Sequence, residues 1–320
     1  MIKISECPLC GSKKIEEFYK GVDNYYSGKF AEYSICSNCS LIFLNPRPTE
    51  EEHKNWYELV FQDKRRNIAT FEEAVARTKG KYDKKLKQLK YFENFVNKNS
   101  QCLEIGCGWG TLAKVVKDKF NCEVNVIEPS KLAAKVAAGH FGLNVFQGNF
   151  NDFIAQGHNN KKYDFIYSYH VFEHISDPNA FLEKVKNILE PNGKLLLALP
   201  NTLNPEQPSE RLFHIDHCFY YTPQTIELML KKHGFNIIKL WECVVDMKIA
   251  CEIREGDEKI LYENSGEQKK IKQAISRSDR KYKFLRTIRK IIYSPLSGQS
   301  RERGNRIITN ILRKIRQARK

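Results

Sequence analysis

Between Gln101 and Ile253 the chain alternates short apolar blocks with stretches of helical spacing. Gln101 to Ile105, Glu123 to Glu128, Leu143 to Gln147, Tyr163 to Tyr169 and Lys194 to Pro200 are compact runs of Leu, Ile, Val, Phe and Tyr, the composition of buried strands. Thr111 to Lys117 carries its apolar residues three and four apart, as one face of a helix does. Leu189 to Gly193 reads as a helix stop followed by a turn. Thr222 and Pro223 open a capped helix from Gln224 to His233, which Gly234 ends. Phe235 to Trp241 and Val244 to Ile253 supply two more strands, giving seven in all and a terminal antiparallel hairpin. Strands that take turns with helices predict an α/β fold.

The same pattern changes on either side of this block. Upstream, Lys14 to Lys20 and Ala31 to Cys36 are strand-like, and Leu41 to Thr49 is an extended connection stiffened by its two prolines. From Thr49 the chain turns helical, with Glu50 to Glu52 where acids favour the dipole, and a further helix is predicted over roughly Lys81 to Asn97 through Leu86, Leu89, Phe92 and Val96. These helices are expected at the entrance to the central block. Downstream, Phe284, Leu285, Ile288, Ile291 and Ile292 form one helical stripe, and Ile307, Ile308, Ile311, Leu312 and Ile315 another.

Charge singles out that tail. The 320 residues carry a net charge of +15, and residues 255–320 hold 19 Lys or Arg against 7 Asp or Glu. Basic amphipathic helices suit an anionic membrane surface or an acidic protein partner, here through residues 280–320. Docking on the body or across a homodimer is the other reading of the stripes. Nucleic acid is a weaker expectation, since the tail has no interleaved aromatic platform. The chain has no apolar run of the ~18 residues a membrane span needs, and its polar start is no signal peptide. A cytoplasmic protein is expected, held at the inner face of the membrane if the tail binds lipid.

Ten cysteines in such a protein are thiols or metal ligands. Cys7 and Cys10 form one Cys-x-x-Cys knuckle, Cys36 and Cys39 a second, with 25 residues between Cys10 and Cys36. Two tight turns presenting two thiolates each complete a tetrahedral site, for which structural zinc is the default occupant. A redox dithiol or an iron–sulfur cluster explains the paired knuckles less well. The remaining six cysteines lie in apolar sequence and read as small buried side chains.

Chemistry concentrates after the first strand of the α/β block. Glu104 is followed by glycine at 106, 108 and 110, giving Glu-x-Gly-x-Gly-x-Gly in front of a helix. Glycine lets a ligand approach the backbone, and the helix N-terminus points at it. A dinucleotide fingerprint would space its third glycine differently. Glu128 ends the second strand, 22 positions after Gly106, where a carboxylate can accept two ribose hydroxyls. With Gly148 to Asp152 after the third strand and Tyr163 to His174 at the fourth, the ordered set resembles the class I S-adenosylmethionine-dependent methyltransferases. The resemblance implies a Rossmann-like seven-stranded sheet and a donor site at Glu104, Gly106, Cys107, Gly108, Gly110 and Glu128. Asn149 and Phe150 would meet the adenine by edge hydrogen bonding and ring packing, and Tyr169 and His170 would complete the donor site.

Methyl transfer to a hydroxyl also needs a base, and histidine titrates in the right range. Two clusters offer one. His170 and His174 are four apart and would share a helical face with Glu173 near the donor; Arg211 to His217 places His214 and His217 between the fifth strand and the next helix. His217 or His214 is the expected base, with His174 and Glu173 on the donor side. The Glu173 segment also resembles an element of quinone-pathway O-methyltransferases, which leaves open a divalent metal on Glu173, His174 and a neighbour.

The sequence thus divides into a zinc-ribbon module at 1–48, connecting helices at 49–99, a methyltransferase core at 100–254 with a lid at about 201–223, and a basic helical extension at 255–320. The order of modules resembles bacterial methyltransferases of sugar and surface-polysaccharide pathways, including deoxysugar methyltransferases. A hydroxyl on a nucleotide-linked or glycan-attached sugar is the expected acceptor. An rRNA or tRNA methyltransferase, and a non-catalytic cofactor-binding scaffold of a glycan assembly complex, are the alternatives.

Overall fold

A computed structural model of the chain describes residues 1–22, 30–49, 51–52, 68, 70–244, 246–254, 260–262 and 266–293. The expected stripe from Ile307 to Ile315, and the helix expected from Thr49 where it would run past residue 52, lie outside these residues.

The described chain folds around two sheets. The larger is built from β4 (Gln101–Ile105), β5 (Glu123–Glu128), β6 (Asn144–Gln147), β7 (Tyr163–Tyr169), β8 (Leu189–Pro200), β10 (Phe235–Glu242) and β11 (Asp246–Ile253), in the order β10-β11-β8-β7-β4-β5-β6. Strands β4 to β8 pair in parallel, and the β10–β11 hairpin adds to β8 antiparallel. Strand order reverses at β4, and ligands of open α/β sheets bind outside the carboxyl ends at such a switch point.

Alternate residues of the central strands feed two separate cores, because successive side chains of a strand point to opposite faces. Leu103, Ile105 and Ile166 join α6 (Pro178–Ile188) and α8 (Pro223–Lys232) in one cluster. Cys102, Phe165 and Tyr167 join α3 (Thr111–Phe120) and Phe92 in the other. Parallel strands covered on both faces need continuous apolar sequence, which is why these blocks were legible. The connecting helices α4 (Lys131–Gly139) and α5 (Phe150–Ala155) are capped by Ser130 and Asn149, and Asp177 and Thr222 cap α6 and α8.

The smaller sheet has the order β1-β2-β3-β9, where β1 is Ile15–Val22, β2 Phe30–Cys36, β3 Ile42–Leu44 and β9 Phe219–Tyr220. Three strands come from the amino-terminal ribbon and the fourth from the lid. β9 pairs antiparallel with β3, Ile42 opposite Tyr220 and Phe43 opposite Phe219. The long helix α9 (Glu267–Tyr293) buries Ile271 and Ile275 in the same cluster as Tyr33, Phe213 and Tyr220. Its Ser278 hydroxyl donates to the Pro205 and Gln207 carbonyls of the lid, just before the short helix α7 (Ser209–Leu212).

Two predicted elements come out differently. The helix expected over Lys81 to Asn97 is a short α2 (Tyr82–Leu86), following α1 (Phe71–Thr78), and then a single 3-10 turn at Leu89–Tyr91. Lysines at 81, 84, 85, 87 and 90 put like charges on adjoining turns. Phe92, fully buried against Phe165 and Tyr167, fixes the chain's path instead. Leu189 to Gly193 does not leave the sheet as a turn. It begins β8, and the register against β7 slips between Tyr163 and Phe165 to take up the extra residues.

Candidate functional site

The carboxyl ends of β4, β5 and β7 open into one cleft of about 1420 Å³. The glycine loop after β4 forms one wall. Gly106, Gly108 and Gly110 all adopt positive φ, at 77°, 55° and 79°. At Gly106 a Cβ would lie 2.4 Å from Val171 Cγ2, and at Gly110 one would lie 2.8 Å from both Ala137 and Leu143, so these two glycines allow close packing. At Gly108 a Cβ would meet no atom within 4 Å. That position is bare backbone facing the cleft, the surface a nucleoside can approach. The loop is tied to β5 by hydrogen bonds from the Gly106 and Cys107 amides to the Ile127 carbonyl. Cys107 itself turns its thiol into the core, and burial raises its pKa.

Two carboxylates face this loop in different states. Glu128 Oε2 accepts from the Gly108 amide at 2.7 Å and Oε1 from the Ser130 amide at 3.0 Å, which fixes the carboxylate at the floor of the cleft. Glu104 is 2% exposed, its Oε2 has no hydrogen-bond partner among the described residues, and burial pushes its pKa up to about 8. A buried carboxyl of this kind is ready for a cation. Asn149 lines the cleft but spends its side-chain oxygen as the cap of α5, accepting from the Asp152 amide at 2.8 Å. Phe150 lines the cleft and packs on Phe153 and Phe181.

The His170 to His174 segment is not the expected helical face. Only Phe172–His174 form a 3-10 turn, and His170 stands before it with φ 56°, a conformation few non-glycine residues adopt. The two imidazoles therefore diverge. His170 lies between carboxylates, Nδ1 3.4 Å from Glu173 Oε1 and Nε2 3.8 Å from Asp246 Oδ2. Desolvation works against its charge, but Glu173 and then Asp246 outweigh it and raise the pKa. His174 reaches the lid, its Nδ1 2.7 Å from the Asp216 carbonyl. A carbonyl only accepts, so His174 carries its proton on Nδ1 and turns Nε2 to its other side.

The lid brings its histidines onto the same spot. The His217 ring lies 4.7 Å from that of His174 and 4.0 Å from that of His214. His217 is half-buried and lines the cleft with Glu173 and His174, whereas His214 sits behind it at 7% exposure. Glu173, His174 and His217 each bring one ligating atom within 4.8 Å of the others. The trio could share a proton or hold a divalent cation. Glu173 is buried and its Oε2 has no hydrogen-bond partner among the described residues.

The four ribbon thiols converge as the sequence requires. Cys7, Cys10, Cys36 and Cys39 place their sulfurs within 4.8 Å of one another, with Cys7 to Cys39 and Cys10 to Cys36 both at 3.5 Å. A tetrahedron with metal–sulfur bonds of ~2.3 Å has edges of ~3.8 Å, so the donor set fits zinc. Asn38 Nδ2 donates to Cys10 Sγ, and the Lys232 ammonium donates to the Pro8 carbonyl at 2.8 Å, bringing positive charge beside thiolates.

Several cleft residues have no signal in the sequence. Lys81 and Lys85 line it from the broken helix, Trp109 from the glycine loop and Ile68 from upstream. Lys85 stands 5.7 Å from the centre of the Tyr169 ring. Asp246 meets His170 only because the β10–β11 hairpin returns beside β8. The i, i+4 spacing of Lys81 and Lys85 was visible, but nothing in it says which way the segment faces.

Residues 71–240 match the family described as Methyltransferase domain. Phosphoethanolamine N-methyltransferase 2 of Caenorhabditis elegans is 24% identical over 161 residues, 49% of this chain and 37% of that protein. The ubiquinone biosynthesis O-methyltransferase of Coxiella burnetii is 26% identical over 117 residues, 36% of this chain and 50% of that protein. The chain thus spans half or less of the length of these relatives. Among solved structures, the CcbJ methyltransferase of Streptomyces caelestis superposes with a TM-score of 0.44 at 11% identity, over 53% of this chain and 89% of that one. The glycopeptide N-methyltransferase MtfA complexed with sinefungin gives 0.43 at 16%, over 53% and 93%. By its glycine loop, its sheet order and a family match over more than half its length, the chain belongs to the class I S-adenosylmethionine-dependent methyltransferase-domain family.

Proposed function

We propose that the protein transfers a methyl group from S-adenosylmethionine to a hydroxyl of a small molecule, with a nucleotide-linked or glycan-attached sugar as the preferred acceptor class. The observation that carries the reading is a donor cleft walled by bare backbone at Gly108 and faced, across its mouth, by an imidazole cluster. When bound, the donor supplies an activated methyl group on a sulfonium. Glu128 would hold the ribose hydroxyls, and Glu104, with one buried oxygen that has no hydrogen-bond partner among the described residues, would face the cationic end. Lys81 and Lys85 suit a carboxylate at the same end.

Displacement of this kind depends on holding donor and acceptor in line. The lid covers the acceptor side, and His217 is the group placed to take its proton. His174, held by the Asp216 carbonyl, has its ring 4.7 Å from that of His217, close enough to help disperse the charge the base acquires. His214 is set behind and serves the base rather than the acceptor. Structural zinc on the four ribbon cysteines would hold the small sheet. The basic residues of α9 and of the segment after it would bring the enzyme to an anionic membrane, the place of a lipid-linked glycan; no helix among the described residues is long and apolar enough to cross one.

The test is incubation with labelled methyl donor and separated host fractions of nucleotide sugars, lipid-linked glycans and RNA. Label in a sugar or glycan fraction supports the reading. Label in RNA alone would transfer the assignment to nucleic acid, and donor binding with no label in any fraction would favour a scaffold.

A further inference from the structure

Tyr33 stands on β2 of the ribbon and is fully buried. Its ring packs 5.2 Å from Phe213 and 5.3 Å from Tyr220, both of the lid. Its hydroxyl donates toward two lid carbonyls, His214 O at 2.6 Å and His217 O at 2.9 Å. Those carbonyls are the two ends of one tight turn, closed by the hydrogen bond from the His217 amide to His214 O at 3.0 Å. The inner carbonyl of the same turn, Asp216 O, accepts from His174 on the core side.

The turn is therefore held from two directions, by Tyr33 on β2 of the smaller sheet and by His174 on the 3-10 turn that follows β7 of the larger. Strand pairing to the ribbon begins only at the next residue, where the Leu44 amide donates to Cys218 O. Burial raises the Tyr33 pKa well above its ordinary value, so the phenol remains a donor throughout the physiological range.

We propose that Tyr33 is a positioning residue for the lid: its hydroxyl sets the His214–His217 turn and so makes the direction of both imidazoles depend on the folded ribbon. The proposal rests on the reading of His217 as the base. The ribbon is then a part of the active site's frame, and a metal held by Cys7, Cys10, Cys36 and Cys39 would bear on the reaction only by keeping β2 and Tyr33 in place. A group that must meet a hydroxyl proton at hydrogen-bond distance tolerates little displacement, which gives a single buried phenol leverage over the rate.

Tyr33→Phe keeps the ring and removes only the hydroxyl. With histidine ring carbons labelled and the resonances assigned by His→Gln exchange, the ring signals of His214 and His217 should move or broaden in this variant. Those of His140 and His158 should not. Amide exchange over residues 213–218 should rise at least ten-fold, while affinity for S-adenosylhomocysteine stays within two-fold. On whichever fraction takes up label, kcat should fall with KM for that acceptor unchanged. Phe18→Leu loosens the same aromatic cluster, 5.9 Å from Phe213, but keeps the hydroxyl; it should lower thermal stability and leave the His217 ring signal in place. Wild-type ring signals and exchange in Tyr33→Phe would overturn the proposal, as would equal shifts in Phe18→Leu. If the wild-type protein fails to bind S-adenosylhomocysteine, the methyl-transfer reading fails, while the ring signals still report whether Tyr33 sets the turn.

Discussion

The Gly108 amide donates to the Glu128 carboxylate at 2.7 Å, joining two walls of the cleft that lie 20 residues apart in the chain. A loop of three positive-φ glycines would otherwise have many conformations to lose on binding. Here the Glu128 carboxylate at the end of β5 restrains the loop to one of them.

Two glycine substitutions should separate packing from binding. Gly106→Ala places a Cβ 2.4 Å from Val171 at positive φ and should destabilise the protein by about 2–4 kcal/mol, seen in urea unfolding. Gly108→Ala meets no atom, so it should cost about 1–2 kcal/mol of backbone strain and weaken donor binding far more than stability. Calorimetric titration with S-adenosylhomocysteine distinguishes the two.

Glu104 predicts a pH dependence with a definite sign. Its pKa is about 8 in the fold, above the ordinary 4.5 of a glutamic acid, so the native state holds a proton that the unfolded chain releases. Its contribution is fully present below about pH 4.5 and is lost as pH rises through about 8, with an upper bound of ~4–5 kcal/mol. Glu104→Gln should flatten that part of the stability curve. A cationic donor stabilises the charged carboxylate, so donor affinity should improve as pH rises toward 8 with release of up to one proton, measurable by titration in buffers of different ionisation enthalpy.

Metal removal should reach beyond the ribbon. One equivalent of zinc should be released by chelator under denaturing conditions, and Cys36→Ser should lower the bound stoichiometry. Because β3 pairs with β9, loss of the metal should raise amide exchange in the lid as well as in β1 to β3. Exchange confined to the ribbon would contradict that coupling.

The histidines should rank by their access to the cleft. His217→Gln should lower label transfer by about 10²- to 10⁴-fold with donor affinity unchanged. His214→Gln, behind it, should have a smaller effect, and His174→Gln an intermediate one. A larger loss for His214→Gln would reverse the assignment of the base.

Membrane attraction through the tail should depend on salt. The full chain should co-float with vesicles of phosphatidylglycerol and phosphatidylcholine at low ionic strength and dissociate at ~0.5 M salt. Replacing Lys281, Lys283 and Arg286 with Glu should weaken flotation without changing S-adenosylhomocysteine binding. Equal flotation with neutral vesicles would argue against an electrostatic contact.

How much could be read beforehand follows from the range of the interactions. β4, β5, β7 and β8 were legible because a parallel strand covered on both faces must be apolar throughout. Gly106, Gly108 and Gly110 were legible because positive φ restricts a position to few residue types. The two Cys-x-x-Cys knuckles were legible because two thiolates on one turn are local chemistry. The Lys81 to Asn97 segment misled, since its helical spacing is weaker than the demand of one Phe92 ring for a place between Phe165 and Tyr167.

The sequence by itself determined the α/β order, the glycine loop with its two acids, and the paired thiols, all set by backbone conformation and periodicity within short stretches. Only the tertiary structure decided that His217 and not His214 lines the cleft, that His170 turns to Asp246 while His174 turns to the lid, and that the lid completes the ribbon's sheet. Those relations join residues from Tyr33 to Asp246 through strand pairing and buried hydrogen bonds. Such contacts depend on which surfaces meet when both cores close, and no local pattern of residues records that.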